Sequence, residues 1–171
     1  KAAYQISKNK KIGIIGTKGT IKSNAYKKAL QKIDNSLQIF SKACPLFVPL
    51  VEENWINKKE TRMIAKSYLD EFKDYGIDTL ILGCTHYPLL KNVISKVLGE
   101  KINIVDSAIE TSKTVKNILY KNKKLELLYS KNKGIYKFFV SDDEKNFLDF
   151  GKKILNKNIV NIKKVKDAYL F

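Results

Sequence analysis

Residues 79–88, TLILGCTHYP, decide the fold of this chain. Four apolar or β-branched residues in succession predict a strand that is buried on both faces, as the strands of parallel sheets are. Gly83 lets the backbone turn, and Pro88 suits the first turn of a following helix. We therefore expect Cys84 and His86 at the carboxyl end of a buried strand, where open α/β sheets hold their ligands.

A thiol and an imidazole two residues apart mark this turn as a candidate active site. His86 is the only histidine among 171 residues, and Cys84 is one of two cysteines. A thiol beside backbone amide dipoles and an imidazole is in the setting that favours the reactive thiolate. The competing interpretation is a buried structural cysteine and a satisfied histidine. Because the two residues share one turn, the active-site interpretation is favoured.

The rest of the chain alternates strands with helices that are joined by short connections. Such alternation implies a parallel sheet flanked by helices, which is the α/β class. In the long helix, apolar residues at a spacing of three and four, including Met63 and Phe72, indicate core packing rather than a cofactor site. The predicted strands are 11–16, 37–43, 79–82 and 102–105, and the predicted helices are 21–33, 58–75 and 87–98.

The pattern changes after residue 105. Asp106 and Ser107 are predicted to cap the next helix, and the loop residues Ser, Lys, Asn and Gly separate it from a second group of elements. The predicted order is helix 109–120, loop 129–134, strand 136–140, helix 142–155 and strand 159–165.

Composition bounds the classes of partner. The net charge is +16, but the excess is nearly all lysine and is spread along the chain, with Arg62 the only arginine. We therefore predict no specific nucleic-acid partner. No stretch approaches the roughly 18 consecutive apolar residues of a membrane helix, and there is no CxxC pair for zinc. These observations favour a cytoplasmic protein with no membrane partner and no metal.

Three segments, in the same order, resemble those of a known family. They read IIGTKGTI at 14–21, ACPLFVPLVE at 43–52 and GCTHYPLL at 83–90. Together they resemble the bacterial glutamate racemases of the aspartate/glutamate racemase superfamily. The resemblance implies interconversion of L- and D-glutamate without a cofactor, to supply D-glutamate for peptidoglycan. It also implies glutamate as the bound small molecule and a homo-oligomer when the protein is complete.

Such a reaction needs one group to remove the α-proton and a second to return a proton to the opposite face, and cysteines suit both roles. By the resemblance, Cys84 is one of the two thiols, and His86 tunes it or shuttles its proton. Glu52 matches the acidic residue that orients the histidine, although the adjacent Glu53 stays an alternative. The residues that the resemblance assigns to substrate binding are Thr85, Thr17 and Gly83.

Thr17 and Cys44 each have a structural interpretation. Thr17 lies in a Gly-Thr-Lys-Gly-Thr turn, which is equally an ordinary strand-to-helix turn capped by Thr20 or Ser23. Cys44 matches a non-catalytic cysteine of the family and has apolar neighbours in sequence. We therefore predict a core position for Cys44 and no disulfide between it and Cys84.

The family pattern also exposes a gap. Glutamate racemases carry Asp-Ser-Gly and Cys-Asn-Thr segments before the equivalent of Lys11, and neither occurs here. The chain also begins Lys-Ala-Ala-Tyr, so we expect only a carboxyl-terminal portion. Residues 10–106 would form one complete domain, and residues 107–171 would be the carboxyl-terminal part of a second. Without the opposing thiol, the chain alone is expected to be inactive. A non-catalytic α/β remnant or interaction module stays the alternative.

Overall fold

The computed structural model describes residues 1–122, 135–155, 159 and 161–165. The chain forms two compact units, Lys1–Ile118 and Leu119–Phe171. All strand pairs of the described residues are parallel, so the predicted α/β class is confirmed. The predicted loop at 129–134 lies outside the described residues. The predicted division of the complete protein into domains at 106 and 107 stays a prediction.

The first unit alternates strands and helices. Its elements are α1 (Ala2–Ile6), β1 (Lys11–Gly16), α2 (Lys18–Ser23), α3 (Ala25–Gln31), β2 (Gln38–Ala43), α4 (Phe47–Glu52), α5 (Lys59–Tyr75), β3 (Thr79–Gly83), α6 (Lys91–Leu98), β4 (Asn103–Asp106) and α7 (Ser107–Lys121). The strands form one parallel sheet in the order β2-β1-β3-β4, and the division between the units falls within α7. Every residue of β3 is buried, as its apolar run predicts.

Helices cover both faces of this sheet. On one face, Ala3 of α1 and Leu30 of α3 belong to the same buried cluster as Ile14 of β1. On the other face, a β-carbon on Gly13 of β1 would come within 3.0 Å of the ring of Phe72 on α5. Glycine at this position therefore allows α5 to pack closely on the sheet.

The strand order creates a topological switch point between β1 and β3, because the chain leaves β1 for β2 on one side and returns to β3 on the other. Gly16, the last residue of β1, pairs with Ala43 on β2 and with Gly83 on β3. The three strands thus end in register at one edge of the sheet. The crevice outside the carboxyl ends at a switch point is where α/β sheets bind ligands.

At the opposite edge, Asp78 anchors the segment between α1 and β1. Its carboxylate accepts hydrogen bonds from the Ser7 hydroxyl at 2.7 Å and from the backbone N–H groups of Lys8 and Asn9 at 2.6 and 2.8 Å. The Thr79 hydroxyl donates a further bond at 2.9 Å. Partial burial acts to raise the pKa of Asp78, but these hydrogen bonds outweigh it and hold the pKa below its ordinary value.

Two helix predictions were wrong in detail. The predicted helix at 21–33 is broken into α2 and α3, because Asn24 adopts a left-handed conformation with φ 55°. The predicted helix at 87–98 begins as a 3₁₀ helix, Tyr87–Leu90, and the α-helix α6 starts only at Lys91. The short helices α1 and α4 have no counterpart in the sequence prediction.

The predicted helix at 58–75 is confirmed as α5, but its predicted core face was partly wrong. Met63 has 69% of its surface exposed. The buried residues follow a spacing of three and four, and Met63 lies between two of them, on the other side of the helix. The buried residues of α5 are Thr61, Ala65, Leu69 and Phe72.

The second unit contains β5 (Phe138–Val140), α8 (Glu144–Leu155) and β6 (Ile162–Lys164). β5 and β6 pair in parallel, and both are shorter than the predicted strands at 136–140 and 159–165. Among the residues that the structure describes, no helix combines the length and the apolar character needed to cross a membrane. The large apolar side chains that this unit exposes include Ile135, Tyr136, Phe139, Ile154 and Leu155.

Candidate active site

Three turns meet at the carboxyl edge of the first sheet. Because β1, β2 and β3 end in register, the residues that come directly after them are Thr17, Cys44 and Cys84. The turns after β1 and β3 flank the switch point, which is the position that favours a ligand site. The predicted location of Cys84 at the end of a buried strand is therefore confirmed.

The turn after β3 holds Cys84, Thr85 and His86. The backbone N–H of Tyr87 donates to the carbonyl of Cys84 at 3.3 Å and closes the turn. The Cys84 side chain is a free thiol with intermediate exposure. Since α6 starts only at Lys91, the amide groups next to the thiol are those of the turn and the 3₁₀ helix, and not the first turn of a long helix as the sequence suggested.

The two ring nitrogens of His86 have different neighbours. Nε2 lies 3.3 Å from Oε1 of Glu52, and Nδ1 lies 3.4 Å from the hydroxyl of Thr85. A carboxylate can only accept a hydrogen bond, so this contact assigns a proton to Nε2. In the neutral ring Nδ1 is then the acceptor, and it can accept a hydrogen bond from the Thr85 hydroxyl.

Glu52 is the last residue of α4, and Glu53 is the C-terminal cap. The short helix α4 is held by its apolar residues, since Phe47, Leu50 and Val51 are buried. The Glu52 side chain is 53% exposed while that of His86 is 28% exposed, so the pair lies near the surface and not in the core. Of the two adjacent glutamates, Glu52 is the one that reaches His86.

Thr17 and Gly83 have clear local roles. Thr17 is the N-cap of α2, because its hydroxyl accepts a hydrogen bond from the backbone N–H of Thr20 at 3.2 Å. The capping residue is thus Thr17 itself and neither Thr20 nor Ser23. A β-carbon on Gly83 would lie 2.9 Å from the carbonyl oxygen of Ile15, so glycine is needed for close approach of β3 to β1. Gly83 has no left-handed φ, so the reason given by the sequence, a free turn, was wrong.

Cys44 differs from Cys84 in its exposure. It is completely buried, which confirms the predicted core position. Burial raises the pKa of its thiol to about 12. Its Sγ lies 3.9 Å from the carbonyl oxygen of Lys42, and the thiol is free. At neutral pH Cys44 is therefore a protonated core residue.

The arrangement is suited to proton transfer. It places a partly exposed thiol, an imidazole and a hydroxyl on one turn, with a carboxylate 3.3 Å from the imidazole. Side chains of these types serve as proton donors and acceptors in general acid–base catalysis. Among the described residues, no group of three or more His, Cys, Asp or Glu side chains is arranged to hold a metal. One residue that the sequence interpretation missed is Tyr87, because only the structure brings it to the turn after β2.

The parallel sheet and its flanking helices are shared with the solved structures of a known family of racemases. A profile of the Asp/Glu/Hydantoin racemase family matches residues 1–113 of the chain. The chain belongs to this family. Within the family, its similar relatives include glutamate racemases from several bacteria.

The glutamate racemase of Sulfurihydrogenibium is 51% identical over 146 residues, which cover 85% of this chain and 53% of the relative. Two solved structures are similar along nearly the whole chain. Glutamate racemase isoform RacE1 from Bacillus anthracis has 37% identity and a TM-score of 0.87, and the match covers 96% of this chain and 60% of that one. Glutamate racemase from Francisella tularensis in complex with D-glutamate has 33% identity and a TM-score of 0.86, with 98% and 62% covered. The chain thus spans little more than half the length of these relatives.

Proposed function

We propose that this chain is part of a glutamate racemase, in which Cys84 carries a proton to and from the α-carbon of glutamate. The observation that carries the proposal is the contact between Glu52 and His86 beside the turn that bears Cys84. The similarity to glutamate racemases, one of them solved with D-glutamate, supports glutamate as the substrate.

In the proposed reaction, the thiolate of Cys84 removes the α-proton from one face of glutamate. A second thiol, supplied by the part of the protein that this chain lacks, donates a proton to the other face, and the next turnover in reverse restores both thiols. The carbanion formed between these steps is stabilised by hydrogen bonds to the substrate carboxylate. We assign these bonds to Thr85, Thr17 and the turn after Gly83. No cofactor takes part in this scheme.

His86 and Glu52 act on the thiol and on the substrate in this proposal. Glu52 fixes the proton on Nε2 of His86 and orients the ring, so that the imidazole can tune Cys84 or pass on its proton. Glu53 has no such role. Residues 10–106 form the domain that carries this half of the site, and residues 107–171 complete a second domain. The product D-glutamate would serve peptidoglycan synthesis in the cytoplasm, and the complete protein would be a homo-oligomer.

The buried thiol of Cys44 favours one alternative for the chain by itself. Since Cys44 cannot oppose Cys84 from the core, the 171 residues alone offer half of a two-thiol site. A non-catalytic α/β module would have this same property.

Circular dichroism of D-glutamate solutions over time tests the proposal. The complete protein, with the amino-terminal portion that supplies the second thiol, is expected to racemise glutamate without added cofactor, while the 171-residue chain alone leaves the signal unchanged. In D2O the complete protein should also exchange the α-proton of the product, since the thiol protons come from solvent. If the complete protein folds and shows neither racemisation nor exchange, the non-catalytic alternative is correct.

A further inference from the structure

Tyr87 connects the two turns that carry the proposed site. Its backbone N–H donates to the carbonyl of Cys84, and its hydroxyl donates to the carbonyl of Cys44 at 2.8 Å. The side chain is completely buried. Burial raises the pKa of the phenol, so the hydroxyl stays a donor across the physiological range. One residue thus bonds to the end of β3 and to the end of β2.

The carbonyl of Cys44 is fixed from several sides. The N–H of Cys44 donates to Gly16 at the end of β1 at 2.9 Å, and its carbonyl also accepts the N–H of Phe47, the first residue of α4, at 3.1 Å. The rings of Tyr87 and Phe47 meet edge to face at 5.2 Å, and Phe47 meets Tyr68 of α5 in the same way at 5.4 Å. The start of α4 is therefore locked to Tyr87 by a hydrogen bond and by ring packing.

The other end of α4 carries Glu52. A helix of six residues has no independent stability, so its position depends on such tertiary contacts. His86, which Glu52 contacts, directly precedes Tyr87 in the chain. The same residue therefore fixes both partners of the Glu52–His86 pair, one through the backbone and one through the start of α4.

We propose that Tyr87 is a positioning residue, whose buried hydroxyl and ring hold α4 so that Glu52 meets His86. The effect of Tyr87 on catalysis rests on the proposed function, but its effect on the contact between Glu52 and His86 can be measured separately. Because His86 is the only histidine, its ring signals report the contact without ambiguity.

The experiment is a double-mutant comparison in the 171-residue chain, read out by nuclear magnetic resonance of the ¹⁵N-labelled His86 ring at fixed pH. Glu52→Gln is expected to shift the Nε2 signal in the parent chain. In the Tyr87→Phe background, the same Glu52→Gln change is expected to cause a shift that is at most about half as large, since the effects of coupled residues are not additive. Tyr75→Phe is the matched control, because this hydroxyl bonds to Glu71 and lies in none of these contacts. In the Tyr75→Phe background, the Glu52→Gln change should cause the same shift of the Nε2 signal as in the parent chain.

Phe47→Leu serves as a second variant that removes the packing partner and keeps an apolar residue, and it should reduce the shift as Tyr87→Phe does. An undiminished Glu52→Gln shift in folded Tyr87→Phe protein would overturn the inference, as would the absence of any shift in the parent chain. In the complete protein, Tyr87→Phe should lower kcat about tenfold and change KM less, because misplaced groups cost rate more than binding. A complete protein without racemisation but with the ring coupling would refute the proposed function and leave the positioning role of Tyr87 standing.

Discussion

The turns after β2 and β3 have similar positions in the fold but differ in the exposure of their cysteines. Both come after parallel strands that end in register, and each places a cysteine in its first position. The Cys44 thiol is completely buried and has a pKa raised to about 12, whereas the Cys84 thiol keeps intermediate exposure. A position directly after a strand therefore does not by itself decide whether a thiol is exposed.

The difference comes from the residues on the carboxyl side of each cysteine. After Cys44 come Pro45 and Leu46 and then α4, and the buried Phe47 and the ring of Tyr87 pack over the turn. After Cys84 come two polar residues, Thr85 and His86, before the buried Tyr87. A polar pair keeps the turn at the crevice, since burying it would require partners for its hydroxyl and ring nitrogens. The turn after β2 leads into α4, and at the far end of this helix Glu52 contacts His86.

Replacement of each thiol in the complete protein tests the difference between the two turns and is expected to have the largest effect. Cys84→Ser is expected to lower the rate of glutamate racemisation by about 10⁴-fold, because the serine hydroxyl is a far weaker acid than a thiol and does not form its basic anion near neutral pH. Cys44→Ser is expected to keep most of the rate and to lower the free energy of unfolding by about 1–3 kcal/mol, because it buries a hydroxyl. Racemisation measured by circular dichroism and unfolding in urea report the two effects. Equal losses of rate would mean that Cys44 belongs to the site.

Thiol labelling tests the different exposure of Cys44 and Cys84 without mutation. With a pKa of about 12, Cys44 has a thiolate fraction of only about 10⁻⁴ at pH 8, before its lack of access is considered. We expect iodoacetamide to modify Cys84 in the native chain and Cys44 only in urea, with native rates that differ by about 10³-fold. Peptide mass spectrometry after timed quenching separates the two sites. Rapid native labelling of Cys44 would contradict the buried position.

Replacing Glu52, at the end of α4, is expected to lower the rate of racemisation less than replacing Cys84. In the complete protein, Glu52→Gln is expected to lower kcat about 10- to 100-fold, since it removes the charge that orients and supports the His86 proton. Glu53→Gln is the matched control, because its side chain lies beyond the helix end and does not make the 3.3 Å contact that Glu52 makes. A greater loss from the change at Glu53 would reverse the assignment of the two glutamates.

Much of this arrangement could be predicted from sequence because it depends on local patterns. The apolar run of β3 and the glycine after it favour a buried strand, which places the Gly-Cys-Thr-His turn at its carboxyl end. Burial of Cys44 could be expected from its apolar neighbours. The helix break at Asn24 and the exposed Met63 could not be predicted, because a single left-handed residue and the rotation of a helix are decided by packing against distant elements.

The contacts between the turns could not be predicted from the residue pattern alone, and only the family resemblance paired Glu52 with His86. The strand order β2-β1-β3-β4 sets which turns are neighbours, and a sequence of alternating strands and helices is compatible with several orders. Only with that order known does α4 bring Glu52 to His86, and only then does Tyr87 meet the carbonyl of Cys44. The pair of adjacent glutamates could not be separated from sequence, because the choice depends on where a six-residue helix ends.

Asp78, at the amino end of β3, allows an effect on stability to be distinguished from an effect on the two thiols. The pKa of Asp78 is lowered in the folded state, so its contribution is fully present above its unfolded pKa near 3.8 and is lost as the pH falls through the folded value. Asp78→Asn is expected to lower the free energy of unfolding at pH 7 by about 1 kcal/mol, and the difference from the parent chain should shrink below about pH 4. Urea unfolding at both pH values measures this difference, with Asp74→Asn, which replaces an exposed carboxylate in the last turn of α5, as the control.

Because Asp78 lies at the other edge of the sheet, iodoacetamide should still modify Cys84 and spare Cys44 in folded Asp78→Asn protein. If this variant opened Cys44 to native labelling, the burial of Cys44 would depend on the stability of the whole unit and not on the residues that cover its turn.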